Sequence, residues 1–416
     1  MGLFQKKKAA IERAKIEQTH EIVCLYCFRN FDHNQVLFRA AQGKGSDGYL
    51  AEIDHPLEEY RARFHMNPMG EIPPALNPDS YGEKNKGYLR GILSSLRDSH
   101  NNLTTRRLCP YCHNDILASA GFGPSAIISI VGAGKSGKSA YLTSLVHTLK
   151  TVTSLNFDIY CTPINGEMSR KFKFEYEDPL IEKGYLPDSE EWQNEPLVFN
   201  ISFANDAKPE INLVFFDVAD TANSAYADIF AAHMRSSSGV MFLVDPQQFN
   251  SIGRKVQILS QLEYDINAVT DPTEVLSGLV ENYIYKQPGG ISHIPTAVVL
   301  TKTDLLEALS YEGDYIRPKS SVFSRYVHRG YFNLTVAEII NNDVDEFIQR
   351  VDPNFRTALR RRFSNLGFFA VSALGTHPDV ARRRINKFAP IRVDEPFLWL
   401  LYKLGYIDGY DEGVRL

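Results

Sequence analysis

At 416 residues the chain exceeds a usual single domain, and with 44% apolar and 12% aromatic residues it can bury a substantial core, which excludes global disorder. Its formal net charge of −5 gives no whole-chain signature of nucleic-acid binding, so nucleic acid is not an expected partner. No apolar run approaches the roughly 20 residues of a membrane span, so no integral membrane segment is expected.

Residues 1–20 hold Lys6, Lys7 and Lys8 and read as a short solvated helix without the apolar core of a secretory signal; the expected location is cytoplasmic. Glu21–Phe28 then reads as a strand entering a metal knuckle at Cys24 and Cys27. A second knuckle lies at Cys109 and Cys112. Each C-x-x-C turn brings two sulfurs together, and four thiolates with no open position suit structural Zn²⁺, with His33 or His113 able to replace one ligand. The segment 28–108 reads as a partly irregular insertion with one helix near Tyr88–Arg97. Cys161 is left over for packing.

From Ala126 the pattern becomes α/β. Ala126–Val131 has the length and β-branching of a buried strand, and Leu142, Leu145, Val146 and Leu149 fall on one helical face beyond it. Between them, Gly132, Ala133, Gly134, Lys135, Ser136, Gly137, Lys138 and Ser139 fit G-x-x-x-x-G-K-[ST], followed by Ala140. Glycines let successive N–H groups face one point, and the helix adds its positive end there. Lys138 would reach the β- and γ-phosphates and Ser139 would ligate Mg²⁺. Pro196–Phe203 and Ile211–Asp217 read as two strands of an antiparallel hairpin, then a helix over Ser224–Met234 and a strand over Gly239–Asp245. Further strands are expected at Thr296–Thr301 and Phe368–Ser372, with helices over Val256–Tyr285 and Val322–Arg362. A closing helix over Pro396–Leu404 has Asp394 as its start and Gly405 as its stop. Strands alternating with helices predict an α/β fold, a mostly parallel sheet covered on both faces.

Asp217 ends a buried strand and is suited to hold a Mg²⁺ water. Thr301-Lys302-Thr303-Asp304 is one residue from the Asn-Lys-x-Asp signature of GTPases. Asp304 could accept from guanine N1–H and the 2-amino group while the Lys302 stem lies along the base; adenine would leave the carboxylate unpaired. A plain helix N-cap at Asp304 is the competing reading. Ser372-Ala373-Leu374 matches a loop whose backbone N–H meets guanine O6.

Together, and in this order, these segments make residues 126–406 resemble a Ras-like P-loop GTPase of the translation-factor-related (TRAFAC) class. The zinc-ribbon-like front is similar to bacterial double-GTPase-type proteins of conflict or signalling systems. The resemblance implies a GTPase domain over 121–416 behind a zinc-ribbon-like region over 21–120. It further implies GTP or GDP and Mg²⁺ as cofactors, and a protein effector or partner GTPase. Where that class has Asp-x-x-Gly, this chain reads Asp217-Val-Ala-Asp220, followed by Thr221 and Ala222, so no Gln or Glu orients an attacking water. Hydrolysis should be slow, partner-dependent or absent, and an adaptor-like pseudo-GTPase or an ATPase using the same loop stands as the alternative. The first-switch Mg²⁺ ligand is open among Thr151, Thr153, Thr162 and Ser189.

Overall fold

Two C-x-x-C turns and short strands beside them organise the first part of the chain. The computed structural model describes residues 21–41, 48–122, 126–133, 136–186, 196–204, 208, 210–215, 231–260, 271–310, 316, 319–379 and 382–411. The chain divides into two compact units, Met1–Ser125 with Gln193–Pro196, and Ala126–Trp192 with Leu197–Leu416. The expected helix over 1–20 lies outside the described residues.

In the first unit, β1 (Glu21–Val23) pairs antiparallel with β2 (Asn30–Asp32) around the first knuckle. A three-stranded sheet joins β3 (Leu37–Arg39) to both β6 (Ala75–Leu76) and β10 (Arg107–Leu108), the strand leading into the second knuckle. The insertion adds β4 (Glu52–Ile53), helix α1 (His55–Arg63) and β5 (Glu71–Ile72). Its remaining sheet is β7 (Lys86–Leu89), β8 (Ile92–Arg97) and β9 (Leu103–Thr104). The helix expected at Tyr88–Arg97 is therefore a β-hairpin. Leu89, Ile92, Leu93 and Leu96 have helical spacing, but Arg90 and Gly91 both take positive φ, 51° and 83°, the conformation of a two-residue primed hairpin turn. Turn chemistry overrode the periodicity.

The second unit is built on a seven-stranded sheet in the order β12-β13-β14-β11-β15-β16-β18. Here β11 is Ala126–Gly132, β12 Ile159–Pro163, β13 Leu197–Phe203, β14 Ile211–Phe215, β15 Gly239–Val244, β16 Thr296–Leu300 and β18 Leu366–Ala370. The five strands from β14 to β18 run parallel, and β13 and β12 are antiparallel additions at one side. β11, β14, β15 and β16 are buried at every position, which is why they read as mostly apolar runs without regular alternation.

The helices of this unit are α2 (Lys138–Thr148), α3 (Ser154–Phe157), α4 (Gly166–Phe172), α5 (Asn250–Ser260), α6 (Pro272–Asn282), α7 (Asp304–Ser310), α8 (Leu334–Val351), α9 (Pro353–Arg362) and α10 (Glu395–Lys403), with a helical stretch at 231–236. α10 lies close against the sheet because two strand positions have no side chain. A Cβ on Gly239 would sit 3.2 Å from Leu400 Cδ2, and one on Gly367 would sit 2.9 Å from the Trp399 ring. Gly405 follows α10 with φ +79°, but Asp394 is not its side-chain cap. The Asp394 carboxylate instead accepts from Thr153 Oγ1 at 2.7 Å, and Glu395 pairs with Arg392 at 2.9 Å and His328 at 3.4 Å, all five buried. Thr153, one of the first-switch candidates, is thus spent on core structure. Thr151 donates to the His147 carbonyl, Thr162 lies exposed on β12, and Ser189 is outside the described residues. Among the described residues no helix is long and apolar enough to cross a membrane.

Candidate functional site

In the first unit the two knuckles bring four sulfurs to one point. Cys24, Cys27, Cys109 and Cys112 offer Sγ atoms all within 4.8 Å of one another, with Cys24–Cys112 at 3.6 Å and Cys27–Cys109 at 3.7 Å. A tetrahedral ion with metal–sulfur bonds of about 2.3 Å separates its sulfurs by about 3.8 Å, so this group fits one metal ion without rearrangement. The knuckles are built alike. Phe28 N–H donates to the Cys24 carbonyl and His113 N–H to that of Cys109, and Phe28 and His113 both turn left-handed, at φ 55° and 53°. Burial and the neighbouring sulfurs push the Cys24 thiol well above its ordinary value, whereas hydrogen bonds from the other three push Cys27 well below. Four sulfurs this close, three of them on buried cysteines, cannot all ionise without a cation among them.

Neither histidine named as an alternative ligand joins them. His33 Nδ1 accepts from Leu93 N–H at 3.1 Å, and His113 Nδ1 bonds Asp54 Oδ1 at 2.7 Å. Asp54 is the more consequential residue. It is buried, its second oxygen lies 2.7 Å from Arg39 Nη1, and it caps α1 through Leu57 N–H at 3.3 Å. A single carboxylate thereby ties the inserted helix, β3 and the second knuckle together. Nothing in the spacing of the sequence marks it.

In the second unit the functional candidates gather at the carboxyl ends of parallel strands, where open α/β sheets present their crevice. β11 ends at Gly132, whose Cβ would meet the Leu243 carbonyl oxygen at 2.8 Å, so the turn passes β15 too closely for any side chain. Gly132→Ala should cost about 1–3 kcal/mol of stability in urea denaturation, through a forced backbone shift. Gly134 and Lys135 lie outside the described residues. Gly137, at φ 83°, opens α2 without a side-chain cap, which leaves first-turn N–H groups directed outward. Lys138 is buried, with Nζ donating to the carbonyls of Gly132 at 3.0 Å and Ala133 at 2.7 Å. Ser139 and Ala140 continue α2, the Ser139 carbonyl accepting from Thr143 Oγ1. Ser136 is fully buried and its Oγ has no hydrogen-bond partner among the described residues.

Two distant segments close on this turn. Thr301 Oγ1 donates to the Ser136 carbonyl at 2.9 Å, across 165 positions of sequence. Lys302 takes φ 50°, and its Cε lies 3.5 Å from where a Gly137 Cβ would be. Its Nζ reaches Asp245 Oδ2 at 2.5 Å, a partner at the end of β15 that motif reading passed over. Asp304 opens α7, and its carboxylate accepts a short hydrogen bond from Ser372 Oγ–H. Ser372 Oγ in turn accepts from Gly375 N–H at 2.9 Å, and the Ala373 carbonyl accepts from Ser144 Oγ on α2 at 2.7 Å. Leu374 follows in the same loop, its carbonyl accepting from Ala389 N–H. Beside them, burial holds the His377 imidazole below its usual value, opposed by Asp304 and reinforced by Lys302.

The structure thus brings together the described part of 132–140, Thr301, Lys302 and Asp304, and Ser372, Ala373 and Leu374. Asp217 and the departures at Asp220, Thr221 and Ala222 lie outside the described residues. His233 on 231–236 faces the core: it is buried, 2.7 Å from Ser129 Oγ on β11, and burial lowers it to about 3, so it stays neutral in the working range.

No family model matches the chain. Over 410 residues it is 25% identical to the "Putative ESX-1 scaffolding and assembly protein SaeC" of Mycolicibacterium smegmatis, which takes in 92% of this chain and 99% of that one. Among solved structures, a crystal structure of a variant of SsGBP is 16% identical over 68% of this chain, at a TM-score of 0.26. The bacterial selenocysteine-specific elongation factor EF-Sec is 12% identical over 68%, at 0.27. The chain spans 56% and 29% of those two proteins, and TM-scores this low assign no fold.

Proposed function

We propose that this chain is a guanine-nucleotide-dependent switch of the Ras-like, TRAFAC-class kind, with a separate first unit stapled by zinc through Cys24, Cys27, Cys109 and Cys112. One observation carries the nucleotide reading. Thr301 and Lys302 meet the Gly132–Ser139 turn, and the loop that holds Ser372 against Asp304 is bonded to its helix through Ala373, although these residues come from two strand ends other than that of β11. A phosphate-binding turn alone would not need an acidic residue held beside it. The strand order, with parallel β14-β11-β15-β16-β18 and the antiparallel β13 outside β14, is compatible with the same reading.

In this reading the N–H groups of the turn and of α2 hold the β-phosphate, and Lys138 exchanges its two carbonyl acceptors for phosphate oxygens. Ser139 and Asp217 would hold Mg²⁺, which neutralises phosphate charge when bound. Asp304 accepts from the guanine edge, oriented by Ser372, and the loop of Ser372, Ala373 and Leu374 borders O6. With Asp220, Thr221 and Ala222 in place of a glycine and a water-orienting side chain, turnover is slow or waits on a partner, in the interior of the cell.

A second reading has one observation in its favour. The mycobacterial relative is described as a scaffolding and assembly protein, which suits an adaptor that binds nucleotide without useful turnover. Multiple-turnover phosphate release, with and without candidate partner proteins, separates switch from adaptor.

The base reading is tested by calorimetry of GTP, GDP, ATP and XTP with Mg²⁺ on the native chain and Asp304→Asn. An amide can still accept from Ser372, so the fold is expected to survive. The native chain should prefer GTP over ATP by about a hundredfold or more, and the variant should lose GTP and gain XTP. Equal affinity for GTP and ATP would remove the guanine assignment and favour an ATPase.

A further inference from the structure

We infer that Asp245 is a positioning residue for the base end of the nucleotide site, acting through Lys302; this rests on the guanine-nucleotide reading above. Lys302 is a non-glycine residue in the left-handed region, at φ 50°, a conformation that persists only where the surroundings enforce it. Three contacts do so. Thr301 N–H donates to the Val244 carbonyl at 2.8 Å, Thr303 N–H donates to the Val371 carbonyl at 3.2 Å, and the ammonium is drawn to Asp245. Between its anchored backbone and its anchored tip, the lysine stem passes Gly137, its Cε 3.5 Å from where a Cβ would stand.

Asp245 is itself fixed. It is 4% exposed, its Oδ1 accepts from Gln247 N–H at 2.8 Å, and its N–H donates to Gln248 Oε1 at 2.9 Å. That reciprocal cap leaves Oδ2 for the lysine. The carboxylate therefore sets where the hydrocarbon face of Lys302 stands, and that face is the surface a purine would lie on. Asp245 touches no nucleotide atom in this scheme. Its effect falls on the base alone, so GTP and GDP should respond by the same factor.

The test is a double-mutant cycle of Asp245→Asn and Lys302→Met, read as dissociation of fluorescent N-methylanthraniloyl GTP and GDP. Asparagine retains the acceptor for Gln247 and removes only the charge. In the native background Asp245→Asn should speed release of both nucleotides about fivefold, a modest factor because the lysine is 35% exposed at its side chain. In the Lys302→Met background the same change should do nothing more. Thermal unfolding of the nucleotide-free variants reports any purely structural loss, which would be equal in both backgrounds. Additive effects on release, or a native-like release rate in Asp245→Asn, overturn the inference while leaving GTP binding intact. Failure of the native chain to bind either nucleotide overturns the nucleotide reading and this inference with it.

Discussion

Removing the metal from the first unit should unfold the region around both knuckles. The strands there are two to six residues long and lie in two- and three-stranded sheets, too small to be stable on their own packing. β1 and β2 flank one C-x-x-C turn and β10 leads into the other, so an ion held by the four sulfurs would be the shared anchor of both ends of the insertion. Structural zinc contributes about 10–16 kcal/mol of apparent binding energy in small domains, and where no preformed site exists in the unfolded chain that energy is folding energy. Metal-extracted protein, and Cys109→Ser, should therefore lose amide protection over 21–41 and 103–117 in hydrogen exchange. Protection in the seven-stranded sheet of the second unit should remain. Mass spectrometry should find one zinc per native chain. Full protection of the knuckles after complete extraction would show that hydrophobic packing alone holds them.

The second large effect is expected from Asp54→Ala. Its carboxylate serves Arg39, His113 and the first turn of α1 at once, and the side chains of Asp54 and Arg39 are 4% and 3% exposed. Deleting it strands a buried guanidinium, which costs about 3–5 kcal/mol when one member of a buried pair is removed. Asp54→Asn keeps an acceptor for the helix cap and should cost less. The pH dependence has a definite sign. Burial by itself raises the carboxyl, but hydrogen bonds from His113 and Arg39 and their charges outweigh it, so the folded-state value is lowered. The contribution is therefore fully present above the unfolded value of about 4 and is lost as pH falls through the lower folded value. Urea unfolding of the native chain should weaken below about pH 4 in a way that Asp54→Ala does not. Parallel acid profiles for the two proteins would refute the role given to Asp54.

Much of the molecule was legible because its signals are local. The buried strands announced themselves as apolar runs, and the cysteine spacing named the four sulfurs that the fold brings within reach of one ion. The misreading at Tyr88–Arg97 is instructive, since leucine and isoleucine spacing there satisfies a helix and only the Arg90-Gly91 turn breaks it. Asp394 misled for a related reason. Its place before a helix predicted a cap, but a carboxylate buried beside Thr153 has a better use than the helix end.

Spacing and residue type are enough to specify a knuckle, a glycine turn or a strand, because each is settled by neighbours in the chain. They cannot specify partners far apart, since any of many acids could meet a given cation once the loops close. That Lys302 would find Asp245, that Ser372 would find Asp304 and that Asp54 would bind the knuckle to the insertion are outcomes of tertiary packing. Sheet register and desolvation decided them, because a buried polar group can bond only to the partners that packing brings within reach.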